Sequence, residues 1–581
     1  MKKRVVSLLL TTVMAMSLFA GCGQKETSTS ESSAKTSEST AVESSEVVEE
    51  VAYEDLPTIN VLWMHGYTYQ SDDNLIWKEV AKKVGAKINF IGADTDKYNT
   101  MVASGDGFDI LQAKGENMND LSKGNILLPL DDLLEEYGSN IKAAIPSQLN
   151  YAKATLSGDT GKLYWIASQE TETGRIVGSK TQSYGLLRWD YYKEMGYPET
   201  NSVDDYLLLI KDMQELHPTN EAGQTVYGMA IPSDRLLDTM KRPFLQWNQH
   251  DDFGVTGSYD CREFKYINFY DEEGSFWDAI DFFHKAYLLG LLDPDSFAMK
   301  EEDLKAKATD GRLLTISFNW QVNKMNGSQG FMAIPKNWAA PDSGTNGQQA
   351  EVRIPTYGFA INKNSEYKEI CMKYIDFLYS WEGVNLIYNG IEGVHWVEEN
   401  GVRSLTPEAM EMYNSTEDTI WEETGLYTAE TGNFSGLLSR GIAPDGKTYA
   451  LVRDASLFVD TLTDVEKDYC EYYEVSYPNE IMLEYIEKYD YVLPSEVDPF
   501  VKAALPIATD EIKQIEAALN EEAESMIAEL IMASEADYEK KVANAKERLE
   551  HVGLSKVIDY FESNWQSAID TADELKKYIV D

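Results

Sequence analysis

The chain has 581 residues, with 98 acids against 51 bases and a formal net charge of −47. A balance of that sign repels nucleic acid and anionic lipid, so neither is an expected partner. The length allows two or three ordinary domains, and Cys261, Cys371 and Cys470, far apart and odd in number, argue against a disulfide framework.

Lys2, Lys3 and Arg4 precede an apolar stretch over residues 5–19. That is short for a membrane span of about 20 residues and has the length of a signal-peptide core. It ends in Phe19-Ala20-Gly21-Cys22, which resembles a bacterial lipobox with Phe19 where Leu is usual. Residues 1–21 therefore read as a lipoprotein signal. Cys22 is the expected lipidation site, holding the protein on the extracellular face of the cell membrane. Residues 22–52 are rich in Ser, Thr and Glu and have no apolar face to bury, so they read as an acidic tether. No later apolar run approaches spanning length.

Beyond the tether, residues 58–64 read as a strand. Ile76, Trp77, Val80, Ala81 and Val84 recur at helical spacing over 73–85, with Gly85 as the stop. A second strand follows at 87–91, then a helix capped by Asp94 and ending at Gly105, then a short buried strand at 108–111. Alternation of this kind predicts a parallel, doubly wound sheet. Ligands bind beyond the carboxyl ends of such strands, which points to residues 63–67 and 109–117. A second α/β stretch carries a strand at 184–189, helices at 203–216 and 277–289, and a strand at 313–318. Residues 357–361 form another strand, and Ser365 caps a helix carrying Ile370, Cys371, Tyr374, Ile375 and Leu378. The last hundred residues are mainly helical, with one apolar stripe from Ile512 to Leu530 and another from Tyr538 to Leu549, stopped near Gly553.

Six blocks stand in one order along the body. They are Met-Val-Ala-Ser-Gly-Asp-Gly-Phe-Asp-Ile at 101–110, Leu-Pro-Leu-Asp-Asp-Leu-Leu at 128–134 and Gly-Lys-Leu-Tyr-Trp-Ile at 161–166. Then come Leu-Arg-Trp-Asp-Tyr-Tyr-Lys-Glu-Met-Gly at 187–196, Gly-Arg-Leu-Leu-Thr-Ile-Ser-Phe-Asn-Trp at 311–320 and Gly-Ile-Glu-Gly-Val-His-Trp at 390–396. Together they resemble the family 1 extracellular solute-binding proteins of ABC importers, in particular the longer Gram-positive lipoproteins. The resemblance implies an α/β, two-lobed periplasmic-binding-protein-like (type II) fold with hinge-linked lobes and a mainly helical C-terminal part. Lobe one would take residues 53–168 and 355–396, and lobe two residues 169–354 and 397–581. It implies a monomer that captures a carbohydrate between its lobes and delivers it to membrane permease subunits, without a cofactor. Some long relatives carry a calcium loop where this chain has residues 216–228. Here that loop has a single carboxylate, Glu221, so no metal is expected.

Sugar sites pair aromatic faces with carboxylates and amides. Trp320 matches the family's stacking position and is the first candidate. Trp63 suits the core as well as the cleft, and Tyr67 on the following loop suits the cleft. Glu116 and Asn117 suit sugar hydroxyls, whereas Asp109 reads as a loop brace. Glu170 and Glu172 follow a crossover and read equally as solvated acids. Glu392, His395 and Trp396 fall where the chain returns between lobes. Arg188 reads as structural. The rival readings are a binding protein of the same fold for peptides or other polar solutes, and a secreted glycoside hydrolase, which needs two carboxylates across a cleft, but no recognisable catalytic block surrounds any acid. His-Glu-x-x-His and Gly-x-Ser-x-Gly are absent, which argues against a zinc hydrolase and a serine hydrolase.

Overall fold

The structure, a computed structural model, describes residues 52–63, 69–70, 74–168, 177–253, 255–322, 330–341, 357–414, 435–492, 504 and 508–578. The expected signal, Cys22, nearly all of the tether, Tyr67, Glu170 and Glu172 lie outside the described residues, as does the side chain of Glu116.

In chain order the strands are β1 Thr58–Trp63, β2 Tyr69–Gln70, β3 Lys87–Gly92, β4 Ile110–Lys114, β5 Ile166–Ser168, β6 Tyr184–Arg188 and β7 His250–Phe253. There follow β8 Gly257–Asp260, β9 Lys265–Asn268, β10 Thr315–Phe318, β11 Phe331–Met332, β12 Tyr357–Ile361, β13 Trp396–Glu399 and β14 Val402–Leu405. The first sheet has the order β2-β3-β1-β4-β12-β5. Its centre, β3-β1-β4, is parallel; β2 and β12 run antiparallel to it, and β5 pairs antiparallel with β12.

Local chemistry explains why these elements form. Helix Leu75–Val84 starts where the Asn74 side chain accepts the Trp77 N–H and ends at Gly85, whose φ of +78° suits a residue without a Cβ. Its apolar face is buried, and Trp77 meets Phe90 of β3 edge to face at 4.9 Å. Asp94 caps helix Thr95–Ser104 by accepting the Lys97 N–H. Two expectations shift by a few residues. The buried strand begins at Ile110, so Asp109 stands at the amino end of β4, away from the binding edge, where it accepts the Asn60 N–H at 2.8 Å and the Ser365 hydroxyl at 2.6 Å. Ser365 is therefore a tie between elements and not a helix cap, since helix Lys368–Phe377 begins after Tyr367.

The second lobe holds β10-β6-β11, antiparallel throughout, with parallel bridges Tyr227–Leu313 and Met229–Leu292 alongside. The antiparallel sheet β7-β8-β9 was not foreseen in the sequence. Helix Leu554–Leu575 covers it, with Trp565 and Phe561 packed on Tyr259 and Tyr266. Helix Asp510–Ile531 buries Ile512, Leu519, Met526, Ile527 and Leu530, and its enclosed Glu516 accepts both the N–H and the hydroxyl of Thr256.

Two hydrophobic cores account for both lobes. One gathers residues from Ile59 to Ala167 and from Phe359 onward, the other residues from Leu186 to Ile334 and from Leu462 to Ala572. The chain thus passes between cores from Ala167 to Leu186, from Ile334 to Phe359 and from Val452 to Leu462, and Tyr578 at the end touches the first core again. The return to lobe one runs further than residues 355–396, because Leu437, Ala450 and Val452 still belong to the first core. The reason is Arg403, buried on hairpin β13-β14. Its guanidinium donates to Asp445 at 2.7 and 3.0 Å, to Asn385 and to the carbonyls of Thr448 and Tyr449, and it stacks on Trp381.

Candidate functional site: the edge where the chain crosses between lobes

Strand register places the crossings. Tyr357, which opens β12, lies opposite both Lys114, the last residue of β4, and Ser168, the last of β5. The chain therefore leaves lobe one after Ser168 and re-enters before Tyr357 at the carboxyl edge of its parallel strands, where ligands bind in sheets of this kind. In lobe two, Tyr184 opens β6 opposite Phe318, the last residue of β10. Residues 177–182 bracket the first crossing. Val177 N–H donates to the Arg440 carbonyl, while Lys180 reaches Glu466 and the Thr461 carbonyl, and Gln182 meets Asn479.

A short 3₁₀ turn, Asn319–Gln321, follows β10. Gln321 is wholly buried, and its side-chain oxygen accepts the N–H groups of Ser317 and Phe318, each at 3.1 Å. That anchor holds Trp320 outward, 45% exposed. One face of its ring stacks on Phe318 at 4.5 Å and 4°, and its indole N–H donates to Glu301, itself paired with Arg235. Tyr184 meets the other end of the Phe318 ring edge-on at 5.8 Å. The result is a fixed indole plane, backed by packed rings and tied at its polar end, as stacking on an apolar sugar face requires.

Of the other candidates, Asn117 is exposed in the first turn of helix Gly115–Lys123, directly beyond β4, and Glu116 lies in the same turn. Trp63 is a correction: it is 0% exposed, the end of β1 being enclosed by the first core, so its ring fills that core and offers no face to a ligand. His395 and Trp396 are corrections of the same kind. Both are buried; His395 Nδ1 accepts the Ile391 N–H at 2.9 Å, and the Trp396 indole N–H donates to the Gly390 carbonyl at 2.9 Å. Burial pushes the His395 pKa down, favouring a neutral ring that fastens the 390–396 turn. Glu392 is exposed on that turn, and its backbone bridges to Trp396. Arg188 is buried against Asp190 and Tyr191, a structural pairing as the sequence implied. The 216–228 loop is closed internally by Asn220 and Gln224, which exchange backbone and side-chain hydrogen bonds.

One feature had no signal in the sequence. A small recess beside Tyr184 is lined by Gln182, Gln246, Trp247, Lys336 and Tyr485, among others. Lys336 is only 7% exposed, and burial lowers its pKa to about 8.

No family model matches the chain. It is 23% identical over 328 residues to a fructooligosaccharide ABC transporter substrate-binding protein, FusA of Streptococcus pneumoniae, a match spanning 53% of this chain and 58% of that protein. It is 23% identical over 432 residues to the lipoprotein LipO of Bacillus subtilis, covering 69% of this chain and 76% of the relative. The solved structure of FusA with kestose superposes at a TM-score of 0.57, with 16% identity, over 89% of this chain and 99% of that one. The chain has the fold of the two-lobed solute-binding proteins. The alginate-binding protein AlgQ2 shares that fold at a TM-score of 0.54 and 14% identity, covering 88% of this chain and 99% of its own. The family resemblance carried by the six sequence blocks and these relatives agree. Among the described residues no helix is long and apolar enough to cross a membrane.

Proposed function

We propose that this chain is the substrate-binding component of an ABC importer, taking an oligosaccharide at the edge where its lobes join and delivering it to the permease. The observation that carries this reading is the exposed, pre-oriented Trp320 plane beside the crossing segments. Rotation of the lobes about those crossings encloses the ligand, and contacts to both lobes favour the closed state. The relatives support the sugar, since FusA is named for fructooligosaccharides and its structure holds kestose. Asn117 and Glu116 on lobe one, with Tyr67, Glu170 and Glu172, complete the proposed hydroxyl contacts. The protein acts as a monomer, held outside the cell by a lipid on Cys22. A Cys22→Ala variant is expected in the culture medium; retention of all of it in the membrane fraction would refute the anchor.

The test is a thermal-shift screen of residues from Val51 onward, which form one compact unit, against neutral and acidic oligosaccharides, amino acids and short peptides. A ligand at 100 times its dissociation constant adds about 2.7 kcal/mol of stability. An oligosaccharide that raises the melting temperature and is recovered intact supports the receptor. Stabilisation by peptides alone would remove the sugar, and cleavage of the sugar would make the protein a hydrolase.

A further inference from the structure

We propose that the recess around Lys336 receives the carboxylate of an acidic sugar unit, so that the transported ligand is a uronic-acid-bearing oligosaccharide. The inference rests on the receptor reading and narrows its ligand. Lys336 follows β11 on the segment leading toward the second crossing, and Tyr184 and Gln182, which also line the recess, belong to the first. Tyr184, on the wall of the recess, packs on Phe318, the buried ring that backs Trp320. The enclosed part of the recess is small, about the size of one water, so only the carboxylate enters and the sugar ring stays at its mouth.

The chemistry of the walls selects the charge. The Lys336 ammonium donates a long contact to the Ile334 carbonyl, 3.4 Å, and lies 5.1 Å from the Tyr206 ring and 5.5 Å from the Trp247 ring. Among the described residues no carboxylate pairs with it. In a chain with 98 acids and 51 bases, a buried lysine left without an acid is an open position for an anion, because an uncompensated buried charge is costly unless something pairs with it. Among the described residues two further buried groups have no hydrogen-bond partner. The Gln246 side-chain oxygen, on a recess residue, can accept a sugar hydroxyl, and the Trp338 indole N–H stands in the same aromatic cluster as Trp247 and Tyr206. A single ammonium matches a monoanion, which favours a carboxylate over a doubly charged phosphate. One face of aromatic rings with one cation also fits the apolar and acidic sides of a uronate ring.

Calorimetric titration of the protein and of Lys336→Met tests this, with pectic, alginate and glucuronoxylan oligomers, their neutral counterparts, and free galacturonate and glucuronate. The parent is expected to bind at least one acidic oligomer roughly 30-fold or more tighter than its neutral counterpart, and K336M to lose that margin while keeping the affinity for neutral chains. K336M should melt no lower than the parent, since Met keeps the stem and removes an unpaired buried charge. Equal or tighter binding of neutral oligomers by the parent would overturn the acidic ligand and leave the receptor standing. A preference for acidic chains that survives in K336M would overturn the role of the recess. Binding of free uronates as tight as any oligomer would replace the oligosaccharide by a free sugar acid, and binding of no sugar at all would remove the receptor reading with it.

Discussion

Trp320→Ala is expected to lower the affinity for the proposed oligosaccharide by about 10- to 30-fold, some 1.5–2 kcal/mol, while the unliganded protein keeps its melting temperature. The two effects separate because the ring stands 45% exposed at the end of β10 and meets the interior through Phe318 alone among the described aromatic rings. What positions it, Gln321 below and Glu301 at its indole nitrogen, remains when the ring is removed. Trp63→Ala is expected to do the reverse. That ring is fully enclosed, and its loss should cost about 3–5 kcal/mol of stability. Calorimetry and thermal melts on the two variants distinguish a ligand platform from a core tryptophan. An unchanged affinity in Trp320→Ala would remove the platform from the binding site.

Arg403→Ala is the variant expected to unfold the protein most readily, by about 3–5 kcal/mol in urea titration. The guanidinium is 1% exposed and ties its own hairpin to Asn385 and to Asp445 and the Thr448 and Tyr449 carbonyls, two further stretches of chain. Removing it leaves the Asp445 carboxylate buried without its cation. Burial by itself would raise that carboxyl, but the hydrogen bond and charge of Arg403 outweigh it and hold the pKa below the ordinary value. A depressed carboxyl contributes stability that is fully present above its unfolded pKa of about 4 and is lost as pH falls through the folded value. Arg403→Ala should therefore flatten the acid limb of the stability profile as well as lower it. A loss below about 1 kcal/mol would mean that the return segment is held by its apolar contacts alone.

Signals confined to neighbouring residues were legible in the sequence. Helix Val203–Leu216 and strand Tyr357–Ile361 have the expected bounds, and Gly85 and Asp94 stop and start their helices as their chemistry dictates. What distance in sequence decides was hidden. The sheet β7-β8-β9 gets its cover from Trp565, about three hundred residues on, and the return to lobe one is extended by an Arg403–Asp445 pair 42 residues apart. Trp63 and Trp320 look alike in sequence, each at the end of an apolar strand. Only packing tells them apart, since one strand ends inside a core and the other opens into a turn held by Gln321. His395 and Trp396 stand in a family block, yet both spend their polar atoms on the turn that contains them. Lys336 gave no signal, because its burial and the lack of a paired carboxylate among the described residues are set by distant parts of the chain.

The most direct test of capture between the lobes is hydrogen exchange with and without the oligosaccharide that gives the largest thermal shift. The proposed function predicts slowed exchange on both sides of the crossing edge, in residues 114–117, 166–168 and 357–358 of lobe one and 184–186 and 318–321 of lobe two, with the C-terminal helices unchanged. Protection confined to one lobe, or centred on the helices after Asp510, would contradict it.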